Sequence, residues 1–264
     1  MTAAGALIEG LAQKFILAYG TDRALTKKLS NRGVTVSNQL TFTCHSAAGS
    51  QTISVDLKAL VVAGWTGRDR AAVEKHIKEL EELGVKRPAT TPIYYRCAAS
   101  LVTTASAIEV PGNDSSGEVE FMLLQWGGKL WVGLGSDHTD RQVETYNITV
   151  SKQMCAKPVA KDLWLFDEVK DHWDELKLRS SIEEKGTTVA YQEGSVTAMI
   201  DPRELISIYT NGGALADGTM MFCGTLAAKG GIRTAPRFSF ELEDPKLGRK
   251  ISHSYTIATL PVVG

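Results

Sequence analysis

Glu118 and Glu120 stand two residues apart in a stretch, 116–141, that reads SGEVEFMLLQWGGKLWVGLGSDHTDR. On a strand, residues two apart point to one face, so both carboxylates share it. The stretch runs apolar and aromatic to Gly127-Gly128, a dipeptide suited to a two-residue hairpin turn. With those glycines as the loop, Trp126 pairs with Lys129, Glu120 lies opposite Gly135 and Glu118 lies opposite Asp137. Cross-strand partners share a face, so three carboxylates converge, with a glycine beside them to leave room. Three like charges repel unless a cation sits between them. Oxygen ligands suit a hard divalent ion, Mg²⁺ or Mn²⁺ rather than Zn²⁺. The alternative is a solvated strand end with scattered acids.

Other residues could join such a centre. His76 and Glu79 fall in a helical pattern, AAVEKHIKELEEL, about 60° apart around the axis. A carboxylate at that spacing can orient an imidazole and raise its basicity, as a general base requires. The same pattern also fits a Glu/Lys-rich exposed face with a partly buried imidazole. Lys152, Lys157 and Lys161 follow within ten residues, and a lysine beside a metal can bind a substrate carboxylate. Spacing alone does not choose among them. The run after Asp137, with His138, Thr139, Asp140 and Arg141, is a dense polar cluster suited to metal and anion contacts or to local caps. Gly224-Thr225, at the end of an apolar run, can bring backbone N–H groups and a hydroxyl to an anion, although no GxGxxG or P-loop pattern is present.

Composition narrows the classes. The 264 residues are 43% hydrophobic and 22% charged, which is ordinary for a globular protein with a sizeable core. A net charge of −1 gives no general attraction to nucleic acid or an anionic membrane. Cys44, Cys97, Cys155 and Cys223 are scattered without a CxxC, which reads as reduced thiols in a cytoplasmic protein. No run has the apolar length of a membrane span.

The elements that must position these residues are mostly short strands. Residues 6–19 carry Leu7, Leu11, Phe15 and Ile16 at helical spacing. Together with the basic stretch that follows, they form an expected N-terminal helical extension, 1–33, which serves as a docking helix or as a lid on the main domain, 34–264. Two strands are expected over 34–60. A helix capped by Thr66 or Asp69 follows, burying Val73, Ile77, Leu80 and Leu83. Residues 145–150 read as a further strand. Residues 178–190 read as a hairpin around Glu183-Glu184-Lys185-Gly186. Asp201-Pro202-Arg203-Glu204 opens a helix, and Phe238, Phe240 and Leu242 alternate in a terminal hairpin. More than ten strands with a few helices, lacking regular βα alternation, give a β-rich α+β domain.

In this order the pieces resemble the fumarylacetoacetate hydrolase superfamily. The family shows a His-x-x-Glu lid segment, a Glu-x-Glu strand, an Asn-Asp-x-Thr/Ser-x-Arg segment, a lysine and a late Gly-Thr. His76-Ile77-Lys78-Glu79, Glu118-Val119-Glu120, Ser136-Asp137-His138-Thr139-Asp140-Arg141, Lys152 and Cys223-Gly224-Thr225-Leu226 stand at those places. The likeness spans 59–257. Departures are Ser136 for asparagine, Gln142, Glu144, and Leu226 for the last proline, as in a divergent bacterial-type branch.

The resemblance implies a mixed β-roll-like fold with flanking helices, a Mg²⁺ or Mn²⁺ ion on Glu118, Glu120 and Asp137, and a homodimer. It implies a hydrolase that cleaves a carbon–carbon bond in a 2-oxo or diketo acid through a metal-bound enolate. His76, oriented by Glu79, would activate water, and Lys152 would assist. Arg141, His138, Gly224 and Thr225 would contact a small carboxylate substrate. The same site could serve a decarboxylase, a hydratase or dehydratase, or a tautomerase. It could also serve an ester, lactone or amide hydrolase, or be kept in a non-catalytic binding protein.

Overall fold

The hairpin expected in 116–141 forms the middle of the larger sheet in the computed structural model, which describes residues 37–82 and 87–263, the side chains of residues 76 and 80 excepted. Its strands are Val119–Trp126 and Lys129–Ser136, with Trp126 opposite Lys129 and Glu120 opposite Gly135. Gly127 and Gly128 both take positive φ, 61° and 72°, as a tight hairpin turn requires. The expected helix over 6–19, and the extension to 33, lie outside the described residues.

Eight strands make this sheet, in the order Gly49–Leu57, Asn38–Ser46, Asp162–Leu165, Lys129–Ser136, Val119–Trp126, Thr219–Thr225, Ala59–Gly64, Ile93–Cys97. Its two edges would stand roughly 34 Å apart if the sheet were flat, at the usual strand spacing. Yet Phe42, Val55 and Leu57 from one edge share a core with Leu60, Val62 and Tyr95 from the other. The sheet is therefore curled, and Met122, Leu124 and Phe222 fill the roll.

The outer face of the roll packs on a five-stranded sheet, ordered Thr187–Ser195, Lys177–Glu184, Arg237–Asp244, Arg249–Leu260, Ala107–Pro111. Val119, Phe121 and Leu123 meet Leu178, Phe238, Phe240 and Tyr255 there. Both faces of the central hairpin are thus buried, which is why its strands read as continuous apolar runs. Glu118 and Glu120 stand at the end of the inward-facing row, before Met122 and Leu124.

Two sequence expectations are corrected, and a choice left open between two helix caps is decided. Residues 145–150 are not a strand: Ile148–Gln153 is a helix, with Asn147 accepting from Val150 N at 3.0 Å. That cap outweighs the strand preference of Ile148, Thr149 and Val150. The run expected as one strand to residue 60 breaks at Lys58, and Ala59–Gly64 pairs in parallel with Thr219–Thr225 on the far side of the sheet. Asp69, not Thr66, caps the helix Arg70–Glu82, accepting from Ala71 N and Ala72 N at 3.0 Å each.

Candidate active site

Strand pairing continues one residue beyond the hairpin. Asp137 N donates to Glu118 O at 3.0 Å, which sets Asp137 against Glu118. One carboxylate oxygen each from Glu118, Glu120 and Asp137 lies within 4.8 Å of the others. Asp137 and Glu120 are buried. Gly135, expected to leave room beside the acids, leaves it to the Phe222 ring, which a Cβ there would meet at 2.5 Å.

The repulsion among the acids is answered inside the chain. Lys152 Nζ lies 2.5 Å from Asp137 Oδ2 and 3.8 Å from Glu118 Oε2. Lys157, wholly buried, donates to His138 O at 2.5 Å and stands 3.1 Å from Asp137 Oδ1. Arg141 Nη2 is 3.2 Å from Glu118 Oε1, while its other nitrogens donate to Ser116 and Glu144. Three acids thus face three basic groups.

These neighbours push the titrations apart. Burial raises the Asp137 carboxyl, but Lys152 and Lys157 outweigh it and bring it down to about 2. Burial, then Asp137 and Glu118, hold Glu120 well above the ordinary carboxylate range. Burial alone would lower the Lys152 ammonium, yet Asp137 and Glu118 hold it above the usual lysine value.

Because Asp137 is depressed from 3.8 to about 2, the unfolded chain binds more protons in that interval. Its ion pairs contribute fully above pH 3.8 and are lost as pH falls through about 2, on the order of 2 kcal/mol in all. Asp137→Asn is expected to flatten the acid limb of a Tm-against-pH curve. It should also lower Tm at neutral pH, where two buried lysines lose their partner.

Asp137 Oδ1 has no hydrogen bond among the described residues, because Lys157 Nζ lies outside bonding geometry. A buried carboxylate oxygen that accepts no hydrogen bond, beside two further carboxylates, fits an oxygen-ligated divalent cation. Glu118, Glu120 and Asp137 are the residues that would hold it.

The neighbouring strand holds the acids in place. Gly224 N donates to Glu120 Oε2 at 2.6 Å. Thr225 Oγ1 donates to Val119 O at 2.8 Å and accepts from Gln192 Nε2 at 2.7 Å. Gln192 Oε1 in turn accepts from Val119 N. Gly224 and Thr225, expected as substrate contacts, line the cleft over the acids and are also bonded to the strand that carries Glu120. Ser136, which stands where the resemblance has asparagine, has its Oγ 3.2 Å from Glu118 N, which donates to it, and 2.9 Å from the Tyr255 hydroxyl.

A cleft of about 560 Å³ opens over this cluster, lined by Trp65, Val73, Tyr95, Glu118, Glu120 and Lys152 among others. His138 does not line it. Its ring nitrogens bond Tyr255 and Ser115, and burial, with Lys157 and Arg141 nearby, lowers it to about 3, so it is neutral. Asp69, Ala72 and Val73 bring the helix Arg70–Glu82 to the rim. Position 76 follows one turn later, and its side chain lies outside the described residues. Glu79 is exposed, with one oxygen 3.8 Å from Lys75 Nζ.

Gln192 is the structural member of this site that the sequence did not bring out, and Lys157 is one of three lysines among which spacing could not choose. Lys157 has a signal in retrospect: it sits in a short apolar run, Ala156 to Ala160, where a charge must find a buried partner.

The sequence matches, over residues 63–255, a family described as "Protein of unknown function (DUF2848)". No curated protein matches it. Solved structures similar to it include Cg1458 with an inhibitor, at 16% identity and a TM-score of 0.59, covering 81% of each chain. A yeast protein, ynq8 of the fumarylacetoacetate hydrolase family, is 14% identical with a TM-score of 0.56, over 78% of this chain and 95% of its own. A 2-keto-3-deoxy-D-arabinonate dehydratase, complexed with magnesium and 2,5-dioxopentanoate, is 17% identical with a TM-score of 0.54, over 92% of this chain and 83% of its own. The curled-sheet fold is that of the fumarylacetoacetate hydrolase proteins.

Proposed function

We propose, on the premise that the chain belongs to the DUF2848 family, that it is an enzyme using Mg²⁺ or Mn²⁺ to act on a small 2-oxo acid. The observation that carries this is the oxygen cluster of Glu118, Glu120 and Asp137, with one buried oxygen that accepts no hydrogen bond, at the base of a cleft. Support comes from the fold shared with a dehydratase that was crystallised with magnesium and a dioxo acid. When bound, a divalent ion supplies Lewis-acid stabilisation of negative charge developing on the substrate's 2-oxo oxygen.

The chain's own residues account for the rest. Lys152, at the cleft wall, donates to the substrate carboxylate. Gly224 and Gln192 fix the carboxylates, so little reorganisation is needed when substrate arrives. His76, on the rim helix with Glu79 three residues on, takes the proton from water that attacks the distal carbonyl of an acylpyruvate. The carbon–carbon bond then breaks, and the products are a carboxylic acid and pyruvate. Dehydration is the second reading, favoured by the dehydratase among the similar folds. It needs the same carboxylates and no attacking water.

Product analysis tests both. The full chain is incubated with an acylpyruvate or a 3-deoxy-2-oxo sugar acid, with Mg²⁺, Mn²⁺ or a chelator. Metal-dependent pyruvate release supports hydrolysis, and a dioxo product supports dehydration. No turnover of either, together with no heat of Mg²⁺ or Mn²⁺ binding, overturns the reading.

A further inference from the structure

We infer that the cleft takes a 2-oxo acid with a single carboxylate and an uncharged, apolar tail. The inference rests on the 2-oxo acid reading above and adds the nature of the substrate's other end. It starts from the charge of the lining. Asp69, Glu118, Glu120 and Glu144 line the cleft, and Lys152 is the one cationic side chain among the described residues that do. Arg141 stands behind Glu118, its guanidinium engaged with Ser116 and Glu144. One carboxylate of a substrate therefore has a partner. A second would find no further cation: Glu118 and Glu144 are already paired with Arg141, and Asp69 caps the helix.

Much of the remaining wall is apolar. Trp65, Val73, Tyr95, Leu226 and Ile232 line it, and Ile232 is 57% exposed, a large aliphatic side chain left uncovered. At about 560 Å³ the cleft far exceeds what a three-carbon acid fills, lying within the roughly 300–1,000 Å³ range of sites for larger ligands. Lys152 Nζ is 6.0 Å from the centre of the Tyr95 ring, so the one cation adjoins the aromatic wall.

Trp65 is a separate observation pointing the same way. It holds φ at 57°, the left-handed region that a bulky residue rarely adopts. It follows the strand Ala59–Gly64 directly, and this turn delivers a residue that lines the cleft. Backbone strain retained at a cleft wall is characteristic of a residue that serves binding. Trp65 is thus a specificity-determining residue that packs against the tail.

Isothermal titration of the full chain in Mg²⁺ tests this with three probes: pyruvate, 2-oxo-5-methylhexanoate and 2-oxoglutarate. The last two differ only at the distal end, which is an isopropyl group in one and a carboxylate in the other. The branched acid is expected to bind at least tenfold more tightly than 2-oxoglutarate, about 1.4 kcal/mol. Trp65→Ala is expected to weaken the branched acid about fivefold or more and leave pyruvate within about twofold. Equal or tighter binding of 2-oxoglutarate by the unaltered chain overturns the inference, whether or not the variant folds. An equal loss for pyruvate and the branched acid in Trp65→Ala removes the role of Trp65. If no probe binds, pyruvate included, the 2-oxo acid reading itself fails and the inference with it.

Discussion

Glu120→Gln is expected to abolish divalent-metal binding and metal-dependent turnover while raising the Tm of the metal-free protein. The two effects share one cause. Glu120 is buried against Asp137 and Glu118, and all three features raise its pKa, so its charged form is disfavoured in the fold. Glutamine keeps an oxygen to accept from Gly224 N, which now donates to Glu120 Oε2, and it removes the charge. A neutral amide is a poor ligand for a hard dication beside two carboxylates. Lewis-acid assistance is worth several kcal/mol, so turnover should fall about 10³-fold or more. Calorimetry with Mg²⁺ and Mn²⁺, and melting in chelator, read the two effects separately. A variant that keeps its metal affinity sinks the ligand assignment. One that melts lower without metal sinks the electrostatic account.

Gly224→Ala is expected to destabilise the fold by about 2–5 kcal/mol, the sum of overpacking and an unfavourable backbone. A Cβ there would lie 1.8 Å from Thr66 Oγ1 and 3.1 Å from Thr66 Cβ, and the residue holds φ at +99°. Thr66 is buried and β-branched, so it has little freedom to swing aside. The strand itself must shift, which pulls Gly224 N from Glu120 Oε2. Metal affinity should therefore fall along with stability. Removing the obstruction separates the two costs. In the Gly224→Ala, Thr66→Ala double variant the 1.8 Å overlap with Thr66 Oγ1 is gone, while the tight contacts with the Cβ of residue 66 and Met199 Cγ, and about 1–3 kcal/mol of backbone cost, remain. Urea unfolding of the two single variants and the double variant measures the coupling. Additivity between them would show that Thr66 is not what excludes the side chain.

The carboxylate cluster was legible because a hairpin has few degrees of freedom. A period of two and a two-glycine turn fix which residues face each other, and Glu120 does pair with Gly135. The fold class followed from the number of short strands. What partners each side chain was not legible, because it depends on segments distant in sequence. Lys152 and Lys157 look alike on paper. Only the helix Ile148–Gln153 and the descent of Lys157 beneath His138 show that both reach Asp137. The resemblance gave His138 as a substrate contact, but its ring is bonded to Tyr255 from the terminal strand and to Ser115. Like-charge repulsion implied a cation without saying which. The sequence brought Lys152, Lys157, Lys161 and Arg141 near the acids, but only the fold shows which of them reach a carboxylate.

Lys152, Lys157 and Arg141 bear on when this protein can be made. A bare trio of buried acids would make the metal a condition of folding, as in small zinc modules that are unfolded when empty. Here the counter-charges are encoded in the polypeptide: Lys152 and Lys157 on Asp137, Arg141 on Glu118. Much of the repulsion is thus offset by the chain's own charges as soon as it closes. The chain is therefore expected to fold without a divalent ion: refolding in chelator should give the same yield as refolding in Mg²⁺.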